Sequence, residues 1–339
     1  MCELASDQQW LNIASYDHRT HCDGNLHFFA YSNYPQFKGL LVKNIQFDYR
    51  VIYEQNLVII SRANDHNPYF MLSLALNAWI SMKLSCKKIF GWHSEQARLL
   101  VLDDGCPVCG KEQATLEMLK QVISPTVAAV NAHQWRKKKV FVRKALFVPS
   151  EFVSPIELGR QDNRSCSGSA LIQQFKEHVL DRFNFQQTPP NWNERQQISV
   201  VFIGRRTIGD RQVDRQLIND RQLADITNEF RKNVTAKVHV FSDRMPFHSQ
   251  MKLIRGADVL IGMHGAGLVH ALWLRSSSKV VEIFPNYLRD YTYKHLCQLI
   301  DIAYMEYRGG TDELNTDHKK DEFATDVSES ETTCLIHKS

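Results

Sequence analysis

Hydrophobic and polar positions alternate in a regular way over the second half of the chain. "ISVVFIG" (198–204), "AKVHVFS" (236–242), "ADVLIGM" (257–263) and "KVVEIF" (279–284) are short, β-branched and apolar on both faces. Runs of that kind predict strands buried on both sides, as in a parallel sheet. Between them lie segments with helical spacing: "RQLINDRQLADITNEFRK", "HSQMKLIRG", "GLVHALWLR" and "YLRDYTYKHLCQLID". Strand and helix take turns from Ile198 onward, which predicts a doubly wound, Rossmann-like domain.

The first half repeats the pattern with different content. "NLVIISR" (56–62) precedes a helix over 69–85, then come "ARLLVLDD" (97–104), "EQATLEMLKQVI" and "KVFVRKALFVP". The segment "GSALIQQFKEHVLDRF" (168–183) reads as an amphipathic helix at the junction. The expected organisation is an N-terminal segment 1–42, an α/β domain 43–166, a Rossmann-like domain 167–310 and a polar tail 311–339 expected to be disordered.

Composition narrows the classes. The chain has 339 residues, 43% hydrophobic and 23% charged, with a net charge of +4. That balance gives no argument for nucleic acid, and "RKKK" at Arg136 to Lys139 reads as a solvated strand entry. "YFMLSLALNAWI" (69–80) is too short and too interrupted for a membrane span and predicts a buried helix. Neither a signal peptide nor a membrane anchor is visible in the sequence. Of the eight cysteines, Cys106 and Cys109 form a CxxC without the second pair that a zinc ribbon needs. A redox dithiol, structural thiols and disulfides to distant cysteines all remain open there. "NRS" at Asn163 and "NVT" at Asn233 are sequons.

The candidate chemistry gathers at the ends of the C-terminal strands. "GMHGAGLVH" (262–270) passes from a strand into a helix-like run through a glycine turn. Glycines let backbone approach a ligand, and the N–H groups that open a helix attract phosphate oxygens. His264 adds a side-chain donor to Gly265, Ala266 and Gly267. Arg205 and Arg206 follow the strand at 198–204, and paired guanidinium groups suit a diphosphate. Glu282 closes the next strand, where it is expected to accept ribose hydroxyls or an internal hydrogen bond. "GAGLVH" only half matches a dinucleotide fingerprint, since His270 stands at its third glycine.

With "GRR…RQLIND" before it and "KVVEIFP" after it, "GADVLIGMHGAGLVHALWL" resembles the family 61 glycosyltransferases. The resemblance is most specific from Ser199 to about Pro285, and is weaker over 56–104 and 167–185. It implies a GT-B-like fold, two Rossmann-like domains facing a cleft, with the donor held by the second. It implies an inverting transfer from a UDP-sugar to a hydroxyl of a glycoprotein or glycan. No metal and no cofactor are expected beyond the UDP-sugar co-substrate, and the sequence contains no Asp-x-Asp. N-acetylglucosamine or xylose is the expected sugar, and the lumen of the endoplasmic reticulum or Golgi the expected location.

Carried onto this chain, the family pattern gives Arg205, Arg206, Arg215, Asn219 and the 264–267 turn to the donor. In "SRANDHNPYF" the resemblance places cleft-facing residues, but Phe70 stands where a histidine is common. Asp65 and His66 are the titratable groups there, and either is a candidate base for deprotonating the acceptor, with a residue elsewhere or acceptor-assisted transfer as the alternatives. Each is equally a candidate cap for the helix that follows. Phe70 keeps open an inactive family member that binds nucleotide-sugar or glycan. A cytosolic nucleotide-dependent oxidoreductase is the remaining alternative.

Overall fold

In a computed structural model of the chain, the described residues are 52–61, 67–85, 97–102, 114–123, 130–131, 140–149, 151–157, 168–185, 197–206, 215–242, 245–314 and 323–326. The candidate base residues Asp65 and His66, the CxxC at Cys106 and Cys109, and the sequon at Asn163 lie outside them. The chain divides into two compact units at Glu157–Leu158, each built on its own parallel sheet.

The N-terminal unit carries β1 (Ile52–Ser61), α1 (Pro68–Ser85), β2 (Arg98–Leu102), α2 (Ala114–Ile123), β3 (Val130–Asn131) and β4 (Val140–Phe147). The sheet order is β3-β2-β1-β4, all parallel. α1 is buried from Met71 to Trp79, which explains why its apolar residues surround the helix instead of forming one stripe. Two of its buried polar side chains are bonded: Ser73 meets Glu157 at 3.5 Å and Asn77 donates to the Pro149 carbonyl at 3.3 Å. The helix is capped by Asn67, whose side chain accepts from the Tyr69 N–H at 3.0 Å, with Pro68 at the first helical position. Phe70 packs edge-on against Phe152, ring centroids 5.1 Å apart.

The C-terminal unit begins with α3 (Ala170–Arg182), capped by Ser169. It continues with β5 (Ile198–Gly204), β6 (Arg215–Leu217), α4 (Asp220–Phe230), β7 (Val234–Val240), α5 (Phe247–Arg255) and β8 (Val259–Met263). A 3-10 helix (Ala266–Trp273), β9 (Lys279–Ile283), α6 (Thr292–Leu299) and β10 (Ala303–Tyr307) follow. The main sheet is parallel throughout, in the order β10-β9-β8-β5-β7. Its order reverses between β5 and β8. Such a switch point opens a crevice beyond the carboxyl ends of the strands, because the flanking connections leave in opposite directions.

One face of this sheet is apolar. Val200, Phe202, Ile261, Met263, Val281 and Ile283 alternate along β5, β8 and β9 and pack with Leu223 and Ala224 of α4. The opposite face carries Ile203, Gly262 and Glu282, which the same period of two puts on the other side. The 3-10 helix lies buried along Leu268–Trp273.

Four elements depart from the sequence expectations. Residues 215–217 form strand β6, not the first turn of the helix expected over 215–232. Within the segment expected to be a disordered tail, β11 (Thr311–Leu314) and β12 (Phe323–Asp326) pair antiparallel, and β12 continues parallel to β6. These strands are polar and lie outside the main sheet, so they carry no apolar run for a pattern to reveal. The expected α-helix after the glycine turn is a 3-10 helix. Among the described residues, no helix is long and apolar enough to cross a membrane.

Candidate functional site

β5, β8 and β9 end side by side, and the sequence-predicted residues of the C-terminal unit emerge there. After Gly204 the two arginines part. Arg205 turns toward β8, and its guanidinium donates to the His264 carbonyl at 3.0 Å. It can do so only because residue 265 is glycine: a Cβ there would lie 1.4 Å from the Arg205 Nη1. Arg206 turns the other way. It bonds the Asp220 carboxylate at 2.5 Å, and that carboxylate is 1% exposed at the start of α4. The two adjacent arginines thus have different tasks, one in the glycine turn and one fastening α4 to the end of β5.

His264 and Glu282 meet inside the protein. His264 extends the β8 ladder by donating its N–H to the Ile283 carbonyl at 2.8 Å. Its Nδ1 lies 2.6 Å from Glu282 Oε1, and the phenol of Tyr304 on β10 donates to Oε2 at 2.6 Å. Glu282 is 0% exposed. On the β8 side of the sheet register stands Gly262, so no side chain from that strand competes for the space, while Glu306 of β10 stands on the other side. Burial pushes the carboxyl upward from its ordinary range, while His264 and Tyr304 pull it back toward the charged form. A ribose hydroxyl would reach Glu282 only by displacing one of these partners. The internal hydrogen bond, the second of the two expected roles, is the one present.

The His264 ring is fixed on both flanks. Phe284 stacks on it with centroids 5.2 Å apart, and Tyr293 meets it edge-on at 5.4 Å. Behind Phe284, the Arg308 guanidinium lies 4.0 Å from that ring's centroid. Tyr293 is 3% exposed, and burial with the Glu282 charge raises its phenol well above the usual range, against the opposing charges of Arg205 and Arg215. Arg215, on β6, is half-buried, and its Nε has no hydrogen-bond partner. Asn219 precedes α4 and makes no side-chain cap bond to it.

Ala266 and Gly267 open the 3-10 helix, whose first N–H groups have no acceptor within it. His270 faces inward. It is 1% exposed, packs edge-on against Phe241 at 4.9 Å, and burial lowers its pKa to about 4, so it is a neutral core residue. Among the described residues, no three His, Cys, Asp or Glu side chains converge as a metal cluster.

The structure therefore brings Arg205, His264, Gly265, Ala266, Gly267 and Glu282 together at the switch point, and sends Arg206 to Asp220. Sequence reasoning missed Tyr293 and Tyr304. A signal for Tyr304 existed in "AYMEY" after the last helix, where alternation marks an edge strand, but nothing in the sequence links it to a residue 22 positions earlier.

Over 146 residues, 42% of its length, this chain is 34% identical to the EGF domain-specific O-linked N-acetylglucosamine transferase of Drosophila melanogaster. It is 31% identical over the same length to the protein of that name from Gallus gallus. Each match spans 25% of the relative's length. In structure it is similar to the E. coli heptosyltransferase WaaC, with a TM-score of 0.34 and 10% identity over 75% of this chain and 93% of that one. The sequence profile of Glycosyltransferase 61 matches residues 97–281, a span that runs through β5, the glycine turn and most of β9. The chain belongs to the glycosyltransferase 61 family.

Proposed function

We propose that the C-terminal unit binds the diphosphate of a UDP-sugar at the β5/β8 switch point, and that the protein transfers the sugar to a hydroxyl of a glycoprotein or glycan. The observation that carries this reading is the Arg205 guanidinium laid across Gly265, 3.0 Å from the His264 carbonyl. A permanent, bidentate cation beside the opening N–H groups of a helix suits two linked phosphates. It also suits the negative charge that grows on UDP as the glycosidic bond breaks. Arg215 and the outer nitrogen of His264 are the other donors assigned to the anion.

Transfer is proposed to invert the anomeric carbon without a metal, with guanidinium groups neutralising the leaving group. N-acetylglucosamine is the first donor sugar to test, since the names of the Drosophila melanogaster and Gallus gallus relatives specify it, and xylose is the second. Asp65 and His66 remain the proposed bases. A lumenal location is proposed alongside. Asn233 is exposed on the turn before β7, and secreted protein should lose mass there on endoglycosidase treatment.

A panel of nucleotides tests the reading directly. UDP, UDP-N-acetylglucosamine and UDP-xylose should each raise the melting temperature, and NAD and GDP-mannose should not. Stabilisation by NAD alone would reject a glycosyltransferase donor site. Saturable UDP binding with no turnover on any acceptor would leave a binding protein instead of an enzyme.

A further inference from the structure

We infer that Glu282 and Tyr304 form a support that fixes His264 with Nδ1 as the inward donor and Nε2 turned to the nucleotide, making Tyr304 a positioning residue for donor binding. The inference rests on the donor site proposed above and deepens it. Glu282 is not read as a ligand contact, and Tyr304 enters the site through two hydrogen bonds.

The geometry has three parts. The first is the chain of short contacts, Tyr304 hydroxyl to Glu282 Oε2 and Glu282 Oε1 to His264 Nδ1, each 2.6 Å. An imidazole whose Nδ1–H is committed to a carboxylate has its tautomer set, and only Nε2 remains for a ligand. The second is the restriction of the ring between Phe284 and Tyr293, which removes its freedom to flip. The third is the place made for the carboxylate. Gly262 stands beside it in the register, and a Cβ there would meet the Leu268 side chain at 3.2 Å. A buried carboxylate is costly unless it is bonded on both oxygens, and here it is.

Charge completes the argument. Burial favours a protonated, neutral Glu282, whereas the Tyr304 hydroxyl and His264 favour the anion. An anionic Glu282 is the acceptor that holds Nδ1–H, which leaves Nε2 for the nucleotide. Removing the Tyr304 hydroxyl favours the neutral carboxyl and weakens that acceptor. The other groups acting on this cluster are Asp290 before α6, Tyr293 and Cys297 on α6, Glu306 on β10, and Arg205 after β5. None of them lies between Tyr304 and Glu282.

The test uses the full chain, labelled with ¹⁵N-histidine, and UDP as the titrant. Wild type should show a protonated Nδ1 on His264, its Nδ1–H proton strongly deshielded, before any nucleotide is added. Tyr304→Phe should weaken UDP binding about three- to tenfold, the usual worth of one hydrogen bond. It should also reduce the Nδ1–H signature. Glu282→Gln keeps an oxygen to accept from Nδ1 but removes the charge, and should reduce that signature further. If it does not fold, Tyr304→Phe carries the test. Met305→Leu perturbs the same strand on the opposite face and should leave UDP affinity and the Nδ1–H signature in place.

An unprotonated Nδ1 in wild type overturns the inference. So do an unchanged UDP affinity and Nδ1–H signature in Tyr304→Phe, and an equal loss of both in Met305→Leu. If wild type binds no UDP, the donor-site reading fails on its own. The Nδ1 signature of wild type and Tyr304→Phe then still decides whether the support exists.

Discussion

The two ends of the C-terminal sheet both bury charge, and they do it differently. At the amino end, Arg275 is 4% exposed and donates to the carbonyls of Arg255 at 3.1 Å and Ala257 at 2.9 Å, and to Asp258 Oδ1 at 2.8 Å. Asp258 accepts from the Ser199 N–H at 2.8 Å with its other oxygen. Ser278 donates to the Ala257 carbonyl, and Lys176 from α3 reaches the Leu274 carbonyl at 2.5 Å. These bonds fasten the loops that start β5, β8 and β9. At the carboxyl end, Arg205, His264 and Glu282 are arranged around a glycine turn and the opening of a helix. Buried charge by itself therefore does not mark a site in this fold. Charge placed against bare backbone at the switch point is what sets the proposed donor site apart.

That contrast predicts that the two ends can be broken separately. Asp258→Ala should have the largest effect, because it leaves the buried Arg275 guanidinium without its carboxylate, at a cost of about 3–5 kcal/mol in urea unfolding. UDP affinity of the folded protein should not change. A parallel loss of affinity would show that the ends are not separable.

Arg205→Ala should do the reverse. UDP binding should weaken about 30- to 100-fold with a stability change below about 1 kcal/mol, measured by calorimetry and denaturant titration. Gly265→Ala should match it, since the added Cβ takes the place of the guanidinium. The double variant should be no worse than either single one, because both remove the same interaction.

Lys176 gives a smaller effect with a definite sign. Burial lowers its pKa from 10.5 to about 8, with Arg255 adding to the shift. The unfolded chain then holds the proton more tightly than the folded one, so wild-type stability should rise as the pH climbs from 8 to 10.5. Lys176→Met should lose that rise and be about 1 kcal/mol more stable at pH 7, the lost bond to Leu274 offsetting part of the gain. A steeper rise in the variant would refute the assignment. Ser278→Ala should be the mildest change, costing about 0.5–1 kcal/mol and leaving UDP binding intact.

Much of the main sheet was legible because parallel strands buried on both faces carry continuous apolar runs. β5 matches its run from Ile198 to Gly204, and β8 and β9 lie within theirs. The switch-point residues were legible too, since glycines and arginines at strand ends have few structural uses. Partners were not. Arg206 finds Asp220 across a connection of no regular pattern, and Glu282 finds Tyr304 on a strand whose half-exposed residues give no apolar signal. β6 was hidden because Arg215 to Leu217 continue the helical spacing of α4. Strand and helix differ there through pairing with β12, which no local pattern encodes.

The place of β5 between β7 and β8 has a consequence for the growing chain on the ribosome. β5 leaves the exit tunnel first among the main-sheet strands, with Val200 to Ile203 apolar on both faces and both edges open. β7 closes one edge only after the connection through β6 and α4 has been made. The other edge waits for Val259 to Met263. Until then the nascent chain presents a β-branched strand able to pair with another copy of itself. Chains truncated after Gly256 should therefore collect in the insoluble fraction, and those ending beyond Pro285 should not.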